Sequence, residues 1–453
     1  MAETPLTFNN FLGSADPRAL IGATRPWLTK FRQAAHDQLE TLGLPTPSQE
    51  AWKYSNLPRA LRALAAAAEG DAPLTVSPEA VSPEALPPRL RTDSRRLVFV
   101  NGVFNAELSD QPDEAEGLTL RPLSALLTQD GEPDDDLAEN LGTVAEGEDQ
   151  ALYALNSERF QDGLLLEIGA QTSLSQTIEV LHLNGRSSED RTAAHPRLLV
   201  LLADQAQAEL IEQHWGLDDG QYLVNQVAEI RLGQAAKLTH LRLQQDGFGA
   251  LHLANQHVEL GRNASYRSFN LVTGAAFSRQ EIRLRLIGEG AEVDLNGIYM
   301  LRGKQHADIH TTIDHRVPHT TAREVFRGVL DDEALAAFQG KIAVGRQAQK
   351  TDGRMLNKTL LLSDRAQIKT KPELEIFADD VQCAHGATTG EIDEDALFYL
   401  RSRGIGEERA RALMVQAFLA ETIEESLAED LATQVKSYLD LWMQAQDTPL
   451  AAE

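Results

Sequence analysis

A repeat in the second half of the chain limits its fold more than any other feature. From about residue 163 an aliphatic residue, often followed by glycine, precedes two variable residues, a small residue and a position that is often apolar. Ile168-Gly169-Ala170-Gln171-Thr172-Ser173-Leu174 is the first copy. Leu202-Ala203 with Ala206, Leu232-Gly233 with Ala236 and Leu238, Leu260-Gly261 with Ala264 and Tyr266, and Ile287-Gly288 with Ala291 and Val293 follow. Val317-Pro318 with Thr321 is a degenerate copy, and Val344-Gly345 with Ala348 and Leu362-Ser363 with Ala366 and Ile368 complete the series. The leading positions are 34, 30, 28, 27, 30, 27 and 18 residues apart. This period is short for a propeller blade, and the repeats lack the helix of ankyrin or TPR units. It suits one coil of a β-solenoid, whose strands stack on those of the coil before. A small residue at a fixed place suits a tight corner where neighbouring coils approach. Between the corners lie short strands such as Leu164-Leu165-Leu166-Glu167-Ile168 and Thr177-Ile178-Glu179-Val180-Leu181-His182-Leu183. The competing arrangement is a β-sandwich with evenly spaced hairpins.

The flanks read differently. Trp27, Leu28, Phe31, Ala35, Leu39 and Leu42 recur at helical spacing, and Gly43 follows as a stop. A turn and a short helix are expected over residues 43–54. Residues 65–88 hold an alanine run and then Pro73, Pro78, Pro83, Pro87 and Pro88, which reads as a linker. Arg96 to Phe104, with Asn101-Gly102 between two apolar runs, carries a hairpin signal. Residues 130–149 hold nine acids and no base, the composition of a solvated loop or helix start. Helical periodicity returns from Asp393. Glu394 to Arg403 stops at Gly404. Arg409 to Glu425 is expected to bury Ala410, Leu413, Met414, Ala417 and Phe418, and Leu427, Leu431, Val435, Leu439 and Trp442 form a further stripe. Packing within the chain is the default for such stripes, and a partner is the sharper alternative. The expected organisation is an N-terminal helical region and linker over residues 1–95, a mixed connecting region over 96–162, a β-helix core over 163–392 and a C-terminal helical domain over 393–453.

Composition narrows the function. The 453 residues include 42 Lys plus Arg and 68 Asp plus Glu, a formal net charge of −26. Such a chain lacks the basic stripe that displaces counterions from nucleic acid, and it is repelled by anionic membranes. No run of eighteen apolar residues suggests a membrane span, and Met1-Ala2-Glu3-Thr4-Pro5 has no signal-peptide character, so a cytoplasmic protein is expected. A lone cysteine, Cys383, excludes an intrachain disulfide and a four-thiolate metal site built by one chain.

No P-loop, G-x-S-x-G elbow or H-E-x-x-H motif is present, and Gly404-Ile405-Gly406-Glu407-Glu408-Arg409 follows a helical pattern rather than the strand a dinucleotide site needs. Two groups could carry metal chemistry. His306, His310, His315 and His319 crowd around Asp308 and Asp314. On one strand His306, Asp308 and His310 would share a face, as a metal site or, the favoured reading, as a polar ladder bonded to neighbouring coils. Cys383 and His385 would likewise point the same way on an extended segment. Thiolate and imidazole are ligands for iron or zinc and also a nucleophile–base pair, and a buried structural cysteine is an equal alternative. Two such ligands could complete a metal cluster only with donors from another polypeptide.

Residues 350–405 carry a resemblance. Lys350-Thr351-Asp352-Gly353-Arg354, Asn357 to Ser363, Lys371-Pro372-Glu373-Leu374-Glu375-Ile376-Phe377-Ala378-Asp379-Asp380-Val381, Cys383-Ala384-His385-Gly386-Ala387-Thr388-Thr389-Gly390 and Phe398 to Ile405 closely resemble the SufB/SufD family of iron–sulfur cluster assembly proteins. Leu44-Pro45-Thr46, Glu50 and Trp52-Lys53-Tyr54, with the Cys-x-His arrangement, are similar to its SufD branch. The resemblance implies a mainly β fold with α: a right-handed parallel β-helix (solenoid) core flanked by N-terminal and C-terminal helical regions. It implies a non-enzymatic scaffold that pairs with SufB through the end of the β-helix and binds the ATPase SufC through its C-terminal helices, with Leu413, Met414, Ala417 and Phe418 as docking candidates. His385, and beside it Cys383, would help hold a transient iron–sulfur cluster shared with SufB, none being bound stably by the isolated chain. A homodimer in isolation stays open beside the monomer. The rivals are a SufB-type paralogue that accepts sulfur, which should need more thiols, and a β-helix enzyme acting on polysaccharide.

Overall fold

The structure, a computed structural model, describes residues 7–12, 20–66, 81–111, 114–115, 117–128, 135–145, 151–185 and 192–444. Two long sheets face each other, and the chain passes from one to the other at every corner. A ten-stranded sheet holds Ile178–Asn184, Gln207–Gly216, Lys237–Gln245, Ser265–Val272, Glu292–Leu301, Thr321–Leu330, Asp352–Leu361 and Gln382–Glu391 in that order. The opposing eleven-stranded sheet holds Gly163–Ile168, Arg197–Leu202, Tyr222–Leu232, Leu251–Leu260, Phe277–Leu286, His306–His315, Leu335–Val344 and Gln367–Ile376. These strands pair in parallel, each with the strand one coil earlier, and make a β-solenoid of about seven turns. The sandwich alternative fails because hairpins would pair antiparallel.

Register makes columns. Leu166, Val200, Ile230, Val258, Leu284, Ile313, Ile342 and Leu374 are successive partners, an aliphatic ladder running the length of the interior. Most of these side chains are fully buried, and each stabilises the fold by about 1.5–3 kcal/mol relative to exposure.

The repeat marks one corner of each coil. Gln171, Gln205, Ala235 and Asn263 all take φ between 54° and 62° there, and the small residue that follows, such as Ala206, Ala236 or Ala264, is fully buried. One left-handed residue turns the chain, and a small side chain, most often the methyl of alanine, fills the space beneath it. Three copies are placed differently from expectation. Leu286, not Ile287, pairs with Leu260, because this corner holds one residue more and Ile287 is pushed outward to 40% exposure. Thr320, not Thr321, fills the small-residue place beside His315. Leu362 to Ala366 belongs to the opposite corner, between Asp352–Leu361 and Gln367–Ile376, which explains its 18-residue spacing.

Helices cover the outer faces. Helix Pro26–Leu42 begins with Pro26 at its first turn and ends at Gly43, φ 67°. The short helix expected after it is a single 3₁₀ turn, Glu50–Trp52, followed by helix Leu57–Ala66. Trp52, Leu57, Leu61 and Leu64 pack on Leu223, Leu251, Leu253 and Phe277 of the eleven-stranded sheet. Most of the proline-rich stretch, 67–80, lies outside the described residues, as do 130–134 and 146–149 of the acidic stretch. Arg95–Val100 joins the ten-stranded sheet and turns back at Asn101 and Gly102, φ 48° and 80°, into Val103–Phe104, the two positive-φ residues of a tight hairpin. Helices Glu394–Ser402, Glu407–Ser426 and Glu429–Gln444 close the chain. Leu431, Val435, Leu439 and Trp442 pack on Leu241, Leu243, Leu271, Ile298 and Val329, so this stripe is covered within the chain.

Candidate functional site

Strands Gln367–Ile376 and Gln382–Glu391 are the last of their sheets, each with a strand partner on one side only among the described residues. They form the one coil whose inner surface no later coil covers. Strand Thr321–Leu330, two coils back, is almost wholly buried, whereas Gln382–Glu391 is almost wholly exposed. Such an edge keeps a row of unpaired backbone N–H and C=O groups.

Cys383 and His385 sit on this edge. Cys383 pairs with Gly353, and its column continues through Ala322, Val293 and Tyr266, all interior residues. His385 pairs with Met355, and its column continues through Glu324 and Leu295. Both side chains therefore face the solenoid axis at its open end, as alternation requires. Cys383 is half-buried against the core; its Sγ lies 3.6 Å from the place a Cβ would take on Gly353, in ordinary van der Waals contact. Burial pushes the Cys383 thiol up, the Gly353 N–H opposes this, and the Asp352 carboxylate adds to the rise. The thiol is thus no activated nucleophile, and a bound metal ion would have to deprotonate it. His385 is exposed beside it. The pair can supply one sulfur and one nitrogen donor to a metal held at the coil's rim.

The four clustered histidines do not converge. His306 and His310 lie on the outer face, His315 is buried inside beside Thr320, and His319 is exposed at a corner. Alternation over ten residues divides them. The outer three-residue face is a polar ladder: Asp308 is ion-paired to Arg279 of the preceding coil and accepts from Ser55 Oγ at 2.6 Å.

In helix Glu407–Ser426 the buried residues are Ala410, Val415, Leu419, Thr422 and Ile423. Leu413, Met414 and Phe418 are only half-buried and Ala417 is exposed, which corrects the face expected to be buried. The helix is apolar on more than one side, so sequence pattern alone did not fix which side meets the sheet. A groove of about 750 Å³ opens beside it, lined by Arg411, Val415, Gln416, Asp440 and Met443 among others. Phe377 on the last coil and Phe398 and Tyr399 on helix Glu394–Ser402 are 61%, 71% and 57% exposed.

Sequence reading missed a second group. His182, Glu212 and His214 are buried inside the solenoid with ligand atoms all within 4.8 Å of one another. His182 and His214 are 32 residues apart and meet only because they are register partners. The signal was present as Val180-Leu181-His182 and Glu212-Gln213-His214, one coil apart.

Comparison with known proteins agrees with this architecture. A family profile described as "SUF system FeS cluster assembly, SufBD core domain" matches residues 184–418, and one described as "SufBD protein N-terminal region" matches residues 16–180. An iron–sulfur cluster assembly SufBD family protein of Synechocystis sp. is 34% identical over 408 residues, 88% of this chain and 87% of that protein. The iron–sulfur cluster assembly protein SufD of Escherichia coli K12 is 32% identical over 411 residues, 90% of this chain and 92% of that one. The chloroplastic protein ABCI7 of Arabidopsis thaliana is 27% identical over 345 residues, 75% and 68% of the two chains. The glycan-active alternative gives way to these similarities, and the chain belongs to the SufBD family of iron–sulfur cluster assembly proteins.

Proposed function

We propose that this chain is a non-enzymatic, cytoplasmic scaffold subunit of the SUF assembly machinery that pairs with SufB and builds a nascent iron–sulfur cluster at the seam between them. The observation that carries the reading is the placement of Cys383 and His385, facing inward on the final, uncovered strand of a solenoid. One thiol and one imidazole are too few donors to enclose a cluster, which takes about four. A second solenoid end set against this one would bring the missing donors, and the open strand edge can pair with it by backbone hydrogen bonds. Bare Phe377 on the same coil supports a contact there. The cluster is cargo, completed and passed on.

The C-terminal helices are assigned to the ATPase SufC, with Leu413, Met414, Ala417 and Phe418 as the docking residues. Their partial exposure on helix Glu407–Ser426, and the groove beside it, support this. Arg327 of the solenoid wall donates to the Phe418 backbone carbonyl and is ion-paired to Glu421 at 2.6 Å, so a displacement of the helix would be felt by the strand that pairs with Asp352–Leu361, next to the site. Nucleotide-driven movement of the helices would then open the seam. The test is co-elution: the purified chain, SufB and SufC mixed on a sizing column should run as one species. Separate elution of this chain at micromolar concentrations would refute the scaffold role.

A further inference from the structure

The interior of the solenoid is apolar over most of its length, but three coils near its beginning enclose a polar chamber. Glu212 is fully buried there. Its Oε1 accepts from Gln226 Nε2 at 2.7 Å and from Arg242 at 3.3 Å, and lies 2.9 Å from His214 Nε2. Its Oε2 has no hydrogen-bond partner among the described residues, His240 Nε2 being 3.7 Å away. Neither ring nitrogen of His182 has a partner among the described residues, nor has Nδ1 of His214. Beyond them Asp246 is held by His252 at 2.9 Å and by Gln244 at 2.8 Å. Two carboxylates against the one guanidinium leave the chamber's fixed charges at about −1. An imidazole buried with both nitrogens bare is costly, and a bound cation would give one of them a partner.

We propose that His182, Glu212 and His214 form a binding site for a borderline divalent transition-metal cation of the zinc(II) class. Two imidazoles and one carboxylate are a recognised donor set for such ions. Bonds of about 2.0–2.2 Å to one tetrahedral ion place donors roughly 3.3–3.6 Å apart, against a present spacing of up to 4.8 Å, so binding would turn the stacked rings and draw the donors together. Three protein donors leave a position for water. The donors belong to successive coils, so the ion is captured as the coils stack and contributes to folding. This site is separate from the Cys383–His385 rim and does not depend on the assembly role.

The competing explanation is an aromatic ladder. His182 stacks between Phe99, centroid distance 5.4 Å, and His214, 4.5 Å with rings 9° from parallel. A ladder needs a flat ring and no lone pair, so phenylalanine at 182 would serve it equally. This separates the two.

The full-length chain carrying Cys383→Ala and His385→Ala, which removes the rim donors, is unfolded, refolded with Zn²⁺ and washed with a weak chelator. We expect about one zinc per chain to remain, and that equivalent to be lost on adding His182→Phe while circular dichroism is unchanged. No retained zinc before that substitution, or equal zinc after it, overturns the proposal. X-ray absorption on the zinc-loaded chain lacking both rim donors needs no folded variant at 182: scattering from two imidazoles supports the site, and a shell of oxygen donors without imidazole overturns it.

Discussion

The guanidinium carbon of Arg279 lies 3.8 Å from the centre of the Trp52 ring. Both side chains are buried, and Arg279 is ion-paired to Asp308 and Glu281. The contact fastens the N-terminal segment to the second and third coils before the rim. It gives the Trp52-Lys53-Tyr54 motif a physical role: the indole covers a buried ion-pair network that would otherwise face solvent.

Trp52→Ala should therefore destabilise the chain by about 3–5 kcal/mol, with loss of cation–π attraction included. Trp52→Phe should cost less, since an aromatic face remains over Arg279. Urea unfolding followed by circular dichroism measures both, and equal costs would mean that the face-on contact contributes nothing.

Glu324 should make the fold weaken toward alkaline pH. It is fully buried between Leu295 and Met355 in its column, and burial pushes its carboxyl up to about 8. In the unfolded chain it ionises near pH 4.5. Between those values the folded state keeps a proton that the unfolded state has released, so stability falls by up to about 1.4 kcal/mol per pH unit. It is complete below the lower value and fully lost above pH 8. Glu324→Gln removes the titration, and its advantage over the parent should grow steadily from pH 5 to 8. A difference independent of pH would contradict the assignment.

The acid side has the opposite sign. His195 and His257 are held down to about 3 and His315 to about 4, chiefly by burial. Each is neutral when folded and protonated when unfolded below its ordinary value. Their contribution is complete above about pH 6.5 and is lost as pH falls, at up to about 1.4 kcal/mol per unit each. Replacing His315 by Leu should flatten the fall between pH 6.5 and 4; an unaltered slope in chemical denaturation would count against it.

Ala417→Arg should abolish co-purification with SufC while changing the stability of the isolated chain by less than about 0.5 kcal/mol, because Ala417 is exposed. Deleting residues 407–453 is a poorer test. It would strip Val415, Leu419, Val435 and Trp442 from the wall of the solenoid and expose Leu241, Leu271 and Ile298. Undiminished SufC binding by Ala417→Arg would move the docking surface elsewhere.

What the sequence made legible was local. A small residue, usually a buried alanine, beneath the corners and alternating strands announce stacked coils, and Asn101-Gly102 announces its hairpin. The misreadings arose where geometry depends on neighbours. Leu362 to Ala366 looks like one more copy because both corners of a coil obey the same steric rule, and only the strand order separates them. Ile287 satisfied the pattern, but an extra residue shifted the inward position to Leu286. The buried side of helix Glu407–Ser426 was decided by the sheet beneath it. Cys383 and His385 could be placed on one face by alternation, while their position at an open end required the count of coils. His182, Glu212 and His214 were hidden because register, not spacing, brings them together.

The account's central claim is that His385 holds part of a cluster shared across a joint between subunits. In a reconstituted complex with SufB and SufC, His385→Ala should leave assembly on a sizing column intact, since this side chain is exposed, and should reduce the cluster formed per complex, read by its visible absorbance and by iron and sulfide content, by about tenfold or more. Intact assembly with an undiminished cluster yield would contradict the claim.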